Sequence, residues 1–94
     1  MSQILLSDLA VDQLKEMPPR TGRQLLDAME RLRTFPESAP RLSLEGYESY
    51  RQLVIRPYRA IYRYVAEEDQ VCVYCILHAR RRLPSPEFLT YQIF

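Results

Sequence analysis

Residues 50–83 read YRQLVIRPYRAIYRYVAEEDQVCVYCILHARRRL, three β-forming runs separated by two short breaks. Residues 50–55 and 58–65 are rich in Tyr, Val and Ile, the side chains that suit a pleated, half-buried surface. Residues 71–77 form the most apolar run of the chain. Arg56-Pro57 makes the first break and Glu67-Glu68-Asp69-Gln70 the second. Parallel neighbours need a crossover of about a dozen residues or more, so both breaks predict hairpins and the runs predict a three-stranded antiparallel meander.

The meander carries an unusual load of arginine. Arg51, Arg56, Arg59 and Arg63 fall in a stretch without a single acid, and Arg80, Arg81 and Arg82 follow the last run directly. Strand side chains alternate faces, which groups Arg51 with Leu53 and Ile55, and Arg59 with Ile61 and Arg63. Taken singly, each arginine reads as a solvated edge position. As a set they form a cationic field suited to an anionic partner, phosphate or carboxylate. Every base except Lys15 is arginine, which favours planar, bidentate contact with such groups.

At 94 residues, 47% hydrophobic and 27% charged, the chain is expected to form one globular domain over residues 1–94 with one core. No apolar run approaches the roughly 20 residues of a membrane span, and no basic segment precedes Ile4 as in a secretory signal. The cytoplasm is the expected location. Gln3–Leu6 is short and apolar, enough for one more strand. Ser7 is placed to cap a helix over 8–17 whose stripe is Ala10, Leu14 and Met17, ended by Pro18-Pro19. Thr21 and Gln24 have capping-box spacing, and Leu25, Ala28, Met29, Leu32 and Phe35 mark the face of a second helix stopped near Pro36. The expected architecture is α+β: a helical hairpin packed on one face of a small antiparallel sheet. Leu25, Met29, Leu32, Ile61, Val73 and Cys75 are expected in its core. Residues 36–48 read as a loop, and the tail from Pro84 as a short element or a docked arm.

Cys72, Cys75 and His78 have the spacing of a metal site only on a helix. On a strand Cys75 is expected opposite to Cys72 and His78, which lie about 20 Å apart at roughly 3.3 Å per residue. No metal or other cofactor is expected, and the cysteines read as small buried apolar residues. One histidine and no Gly-x-Ser-x-Gly context give no nucleophilic triad. His78 has two readings: a general acid or base beside a phosphate, or a partly buried ring bonded to a loop.

Tyr50-Arg51-x-Leu53, Tyr58-Arg59-Ala60-Ile61-Tyr62, Val71-x-Val73 and Ile76-Leu77-His78-Ala79-Arg80-Arg81, in this order and spacing, resemble the RelE/ParE superfamily of toxins from bacterial type II toxin–antitoxin systems. The resemblance runs from about Ile4 to Leu83. It implies a small α+β toxin wrapped by a co-encoded antitoxin, for which the outer helix faces and Phe88, Tyr91 and Phe94 are the expected apolar docking surface. RelE-like members cut messenger RNA on the ribosome with basic residues and no metal. By that likeness Arg51, Arg59, Arg80 and Arg82 are the catalytic candidates, with His78 for proton transfer. Arg56, Arg63 and Arg81 are the further RNA-binding candidates. Leu53 stands where that branch often has a second lysine, and Phe88 where a tyrosine often stacks the base; Tyr91 is the substitute ring if the tail folds back. The stretch from Ile76 to Arg81 looks more like the ParE branch, whose members typically inhibit DNA gyrase without a nuclease site. Messenger cleavage is the first expectation and gyrase inhibition the alternative.

Overall fold

β4 (Gln70–His78) lies inside the sheet, with every side chain from Val71 to Leu77 buried. The computed structural model covers Met1–Phe94 and places β4 between β1 (Gln3–Leu6) and β3 (Tyr58–Val65), with β2 (Arg51–Ile55) on the far side of β3. The 58–65 and 70–78 runs pair antiparallel across a turn at 66–69, and β2 pairs antiparallel with β3 across Arg56-Pro57. The meander forms as its alternation predicts.

The sheet as a whole is not antiparallel. β1 lies parallel to β4, Gln3 opposite Gln70 and Leu6 opposite Val73. The expected all-antiparallel sheet is therefore corrected to a mixed one. Nor does the helical hairpin open the chain, since β1 precedes it. The physical reason is connectivity: two helices and two strands separate β1 from β4, ample chain for the crossover that a parallel pair requires.

β1 covers only half of β4's edge. Beyond Val73 the chain turns into α1 (Asp8–Glu16), which does for the remaining edge what a strand would have done. Ser7 N donates to Val73 O at 3.0 Å and Ser7 Oγ to Tyr74 O at 2.6 Å, while Gln13 Oε1 accepts from Ile76 N at 2.7 Å. Ser7 Oγ also accepts from Ala10 N at 3.0 Å, so one hydroxyl caps the helix and closes the sheet edge. α2 (Pro19–Glu30) starts earlier than the Thr21–Gln24 spacing suggested. Pro19 occupies the first helical position, where its missing N–H costs nothing, and no side chain caps the helix. A 3₁₀ turn (Arg31–Arg33) follows, which rotates Phe35 out of the apolar stripe and leaves it 65% exposed.

Both faces of the sheet are covered. Ala10, Leu25, Met29 and Leu32 pack on Ala60, Tyr62, Val71, Val73 and Ile76 to form the helical side. Leu42, Tyr50 and Leu89 pack on Ile61, Cys72, Tyr74, Cys75 and Leu77 to form the other. The six expected core residues are all buried, but Ile61 and Cys75 belong to the second cluster. A β-bulge causes part of this. Ile61 pairs with Cys75 and Tyr62 with Val73, so Tyr74 is an extra residue and the alternation slips there. Cys72 and Cys75, expected on opposite faces, consequently share one. The second cover is the loop at 36–48 with the tail: Leu89 of α3 (Pro86–Thr90) is fully buried, Tyr47 Oη donates to Pro84 O at 2.7 Å, and Phe94 sits edge-on to Tyr74 at 4.9 Å. Gly46 has a φ of 89°, and a Cβ there would stand 3.1 Å from the Pro86 ring, so both conformation and clearance favour glycine.

The turn at 66–69 is more than a solvated tip. Asp69 takes a positive φ of 51°, which Asp tolerates better than most residues. Its Oδ1 accepts from Ser2 Oγ at 2.6 Å and Tyr64 Oη at 2.8 Å, fastening the N-terminus to the hairpin. Those two bonds, Ser2 first, hold the carboxyl below the usual Asp range.

Gln13→Ala leaves Ile76 N without its acceptor and is expected to cost about 1–3 kcal/mol in denaturant unfolding, whereas the neighbouring exposed Asp12→Ala should leave the midpoint unmoved. Because Asp69 has a lowered pKa in the folded chain, its contribution is present above the unfolded carboxyl value and fades as pH falls through the folded one. Asp69→Asn should therefore lower the urea midpoint at neutral pH and bring wild type and variant together in acid. Burial pushes the Cys75 thiol up to about 12 and that of Cys72 upward as well. A thiol reagent at pH 8 should thus label neither cysteine until urea unfolds the chain.

Candidate functional site

The sheet divides the arginines. Arg51 stands opposite Tyr62, on the helical side with Leu53 and Ile55. Its guanidinium is tied up by the 36–48 loop, donating to Ala39 O at 2.8 Å, to Glu37 O at 3.1 Å and to Glu37 Oε2 at 3.2 Å, with 13% of the side chain exposed. Arg59 and Arg63 lie on the other face, paired with Leu77 and Cys72. Arg51 and Arg59, both catalytic candidates by the resemblance, therefore lie on opposite faces of one sheet.

Arg63 lies over the Tyr50 ring at 5.8 Å, a cation–π contact, and its Nη1 reaches Tyr74 Oη at 3.5 Å. That position fastens the second core cluster. Arg56 is exposed in the two-residue β2–β3 turn, which lies beside the end of β4, since Pro57 O accepts from Ala79 N at 2.8 Å. Arg59 donates through Nη1 to Gln52 Oε1 at 3.2 Å and through Nη2 to the carbonyl of Arg81, while its Nε is buried without a partner.

Arg80, Arg81 and Arg82 project from the turn that ends β4 and are exposed. The ion pairs of the structure are Arg33–Glu30 and Arg51–Glu37, so no carboxylate neutralises the three. His78 ends the strand beside them. Its ring stands edge-on to Tyr58 at 5.8 Å, and Nδ1 accepts from Arg80 N at 3.2 Å. In a neutral ring that bond leaves the proton on Nε2, the nitrogen left for other partners. The ring is half-buried and bonded to its loop through Nδ1, and Nε2 is unengaged.

His78, Arg81 and Arg82 line one open cleft of about 530 Å³, together with Tyr58, Glu16 and Phe88. The cleft combines an imidazole, two guanidiniums, a carboxylate and aromatic rings. Such a set can hold a phosphate, stack a base and move a proton. Glu16 belongs to it only because α1 runs along β4, a tertiary fact without local signal. Phe88 stands where the resemblance often puts a base-stacking tyrosine, with Tyr91 as the substitute ring if the tail folds back. The tail does fold back, with Asp8 N donating to Ile93 O at 2.7 Å, yet Tyr91 is left 80% exposed and it is Phe88 that faces the cleft. Cys75 also touches this cleft, but Cys72 does not, and no group of three or more His, Cys, Asp or Glu is gathered for a metal. No helix is long and apolar enough to cross a membrane.

Solved toxin structures share this fold. The toxin–antitoxin complex RelBE2 of Mycobacterium tuberculosis superposes with a TM-score of 0.73 at 22% identity, over 82% of this chain and 96% of that one. The isolated E. coli RelE toxin gives 0.72 at 19% identity, over 87% and 88%. The RelB–RelE antitoxin–toxin complex of Methanococcus jannaschii gives 0.61 at 16% identity, over 81% and 91%. No curated protein sequence matches the chain. The family model for the ParE toxin of the parDE type II toxin–antitoxin system matches residues 4–83, nearly all of the sheet and helices described above, and the chain belongs to that family of toxins.

Proposed function

We propose that this toxin arrests growth in the cytoplasm by metal-independent cleavage of messenger RNA on the ribosome, and that a co-encoded antitoxin neutralises it by covering exposed apolar surface. The observation that carries the reading is the cleft at the end of β4, which brings His78 beside Arg81 and Arg82. In such a cleavage the ribose 2′-oxygen attacks the adjacent phosphorus and the bond to the 5′-oxygen breaks. The 2′-hydroxyl proton passes to a base, for which Glu16 is the one carboxylate of the cleft. The 5′-oxygen takes the Nε2 proton of a doubly protonated His78, which is left as the neutral ring with its remaining proton on Nδ1. The bond that Nδ1 accepts from Arg80 N is given up for this step. Arg81 and Arg82 balance the extra negative charge on the phosphoryl oxygens as it develops. Phe88 and Tyr58 offer rings for a splayed base. No metal is needed for any of these transfers.

Inhibition of DNA gyrase is the second reading, and two observations favour it. The matching family model is that of the ParE toxin, and Arg51 is held by Glu37 on the far face of the sheet.

Two assays on the purified toxin separate these readings: messenger integrity on programmed ribosomes and supercoiling by gyrase. For cleavage, His78→Ala is expected to lose about 10²-fold or more in rate and Arg82→Ala about 10²–10³-fold, both losing growth inhibition. Arg41→Ala, a bridge partner of Arg51 at the opposite sheet edge, should remain toxic. Intact messenger together with blocked supercoiling, and full toxicity of His78→Ala, would overturn the nuclease.

A further inference from the structure

Arg59 is held by two acceptors on either side of its strand, and its Nε is buried. Of its five N–H bonds, one reaches Gln52 Oε1 and another the carbonyl of Arg81, while Nε is buried against the sheet with no acceptor. Gln52 belongs to β2 and Arg81 to the turn after β4, so one guanidinium spans β3 and joins its two neighbours. The same turn is held three times more, once by Arg81 N donating to His78 O at 2.9 Å. Ala79 N donates to Pro57 O at 2.8 Å, and Arg80 N to His78 Nδ1 at 3.2 Å. Arg59 supplies the only side-chain grip on the segment from the far side, and it grips the backbone of the residue whose guanidinium lines the cleft.

We infer that Arg59 is a positioning residue: it fixes the 80–82 turn so that Arg81 and Arg82 face the cleft, and it does not itself contact the anion. The kinetic part of this inference rests on the RNA-cleavage reading; the mechanical part does not. A planar fork with two ends is required, because the acceptors lie on different strands. A lysine ammonium keeps the charge but holds one acceptor at a time. Loosening the turn lets two unneutralised guanidiniums swing into solvent, where misplacement by about 1 Å is enough to lose roughly 10² in rate.

The test uses the whole toxin with Arg59→Ala, Arg59→Lys and Gln52→Ala. Amide exchange of residues 80–82 reads the turn, and exchange of 71–77 reads the core. Single-turnover cleavage on programmed ribosomes, followed against toxin concentration at several salt concentrations, gives the maximal rate and the half-saturating concentration. For Arg59→Ala the turn amides should exchange at least about tenfold faster with core amides unchanged, and the maximal rate should fall about 10²-fold. The salt slope of the half-saturating concentration should stay as in wild type. Arg82→Ala, a cleft cation, should instead lower that slope by about 0.7. Arg59→Lys should behave as Arg59→Ala, and Gln52→Ala, which keeps Arg59, should loosen the turn by a smaller factor.

The inference is overturned if Arg59→Ala lowers the salt slope by about 0.7 while the turn stays protected, since Arg59 would then be a phosphate contact. If wild-type toxin leaves messenger intact, the nuclease reading falls by itself. Exchange of the turn in the three variants, with their growth inhibition, then decides whether the clamp exists and whether toxicity depends on it. If Arg59→Ala fails to fold, Arg59→Lys and Gln52→Ala carry the same two readouts.

Discussion

A strand buried on both faces is the constraint from which the rest of this structure follows. From Val71 to Leu77 β4 offers no side chain to solvent, so two separate covers are required. The helices supply the first and the 36–48 loop with the tail supplies the second. Neither cover is dispensable: burying an apolar side chain of this size contributes about 1.5–3 kcal/mol, and each face carries several. The bulge at Tyr74 tunes the division. By slipping the alternation it directs Cys75 and Leu77 to the face that already holds Cys72 and Tyr74, and Leu89, Tyr50 and Phe94 close that face.

The edge of β4 imposes a second demand, since its backbone groups must find partners once β1 ends. Ser7 and Gln13 meet it, and in doing so they dictate where α1 runs. The position of α1 in turn brings Glu16 and Met17 to the end of β4 and makes the cleft a cleft. A hydrogen-bonding need at a sheet edge thus shapes the candidate active site from below.

How much of this the sequence revealed depended on the range of the interaction. The hairpins were legible because period-two alternation and two short breaks are local signals. The parallel pairing of β1 was not, since four residues, three of them apolar, carry no direction and their partners lie 67 positions away. Alternation correctly grouped Arg51 with Leu53 and Ile55, but it could not tell that this face would be roofed by α2 and that Glu37 would reach back to it. The bulge escaped for a related reason: an inserted residue leaves the composition of a strand unchanged while reversing the facing of all that follows. Among the candidate site residues, those at the end of a strand (His78, Arg81, Arg82) were legible, Phe88 was named only through the resemblance, and Glu16, brought by a helix, was placed only by the fold.

The electrostatics of the sheet then acquire a simple logic. Where an arginine is used as structure, the chain gives it a counterpart: Glu37 for Arg51, the Tyr50 ring for Arg63, a glutamine oxygen and a main-chain carbonyl for Arg59. Arg80, Arg81 and Arg82 receive none, although mutual repulsion among neighbouring cations opposes the compact state. Solvent screens part of that repulsion, and the turn's backbone bonds to Pro57, His78 and Arg59 hold against what is left. On the proposed reading, a phosphate bound at the cleft would relieve part of that repulsion. A rigid frame with unneutralised charge at its tip differs physically from a merely solvated basic patch, in which flexible side chains would separate and the charge would not be concentrated in one cleft.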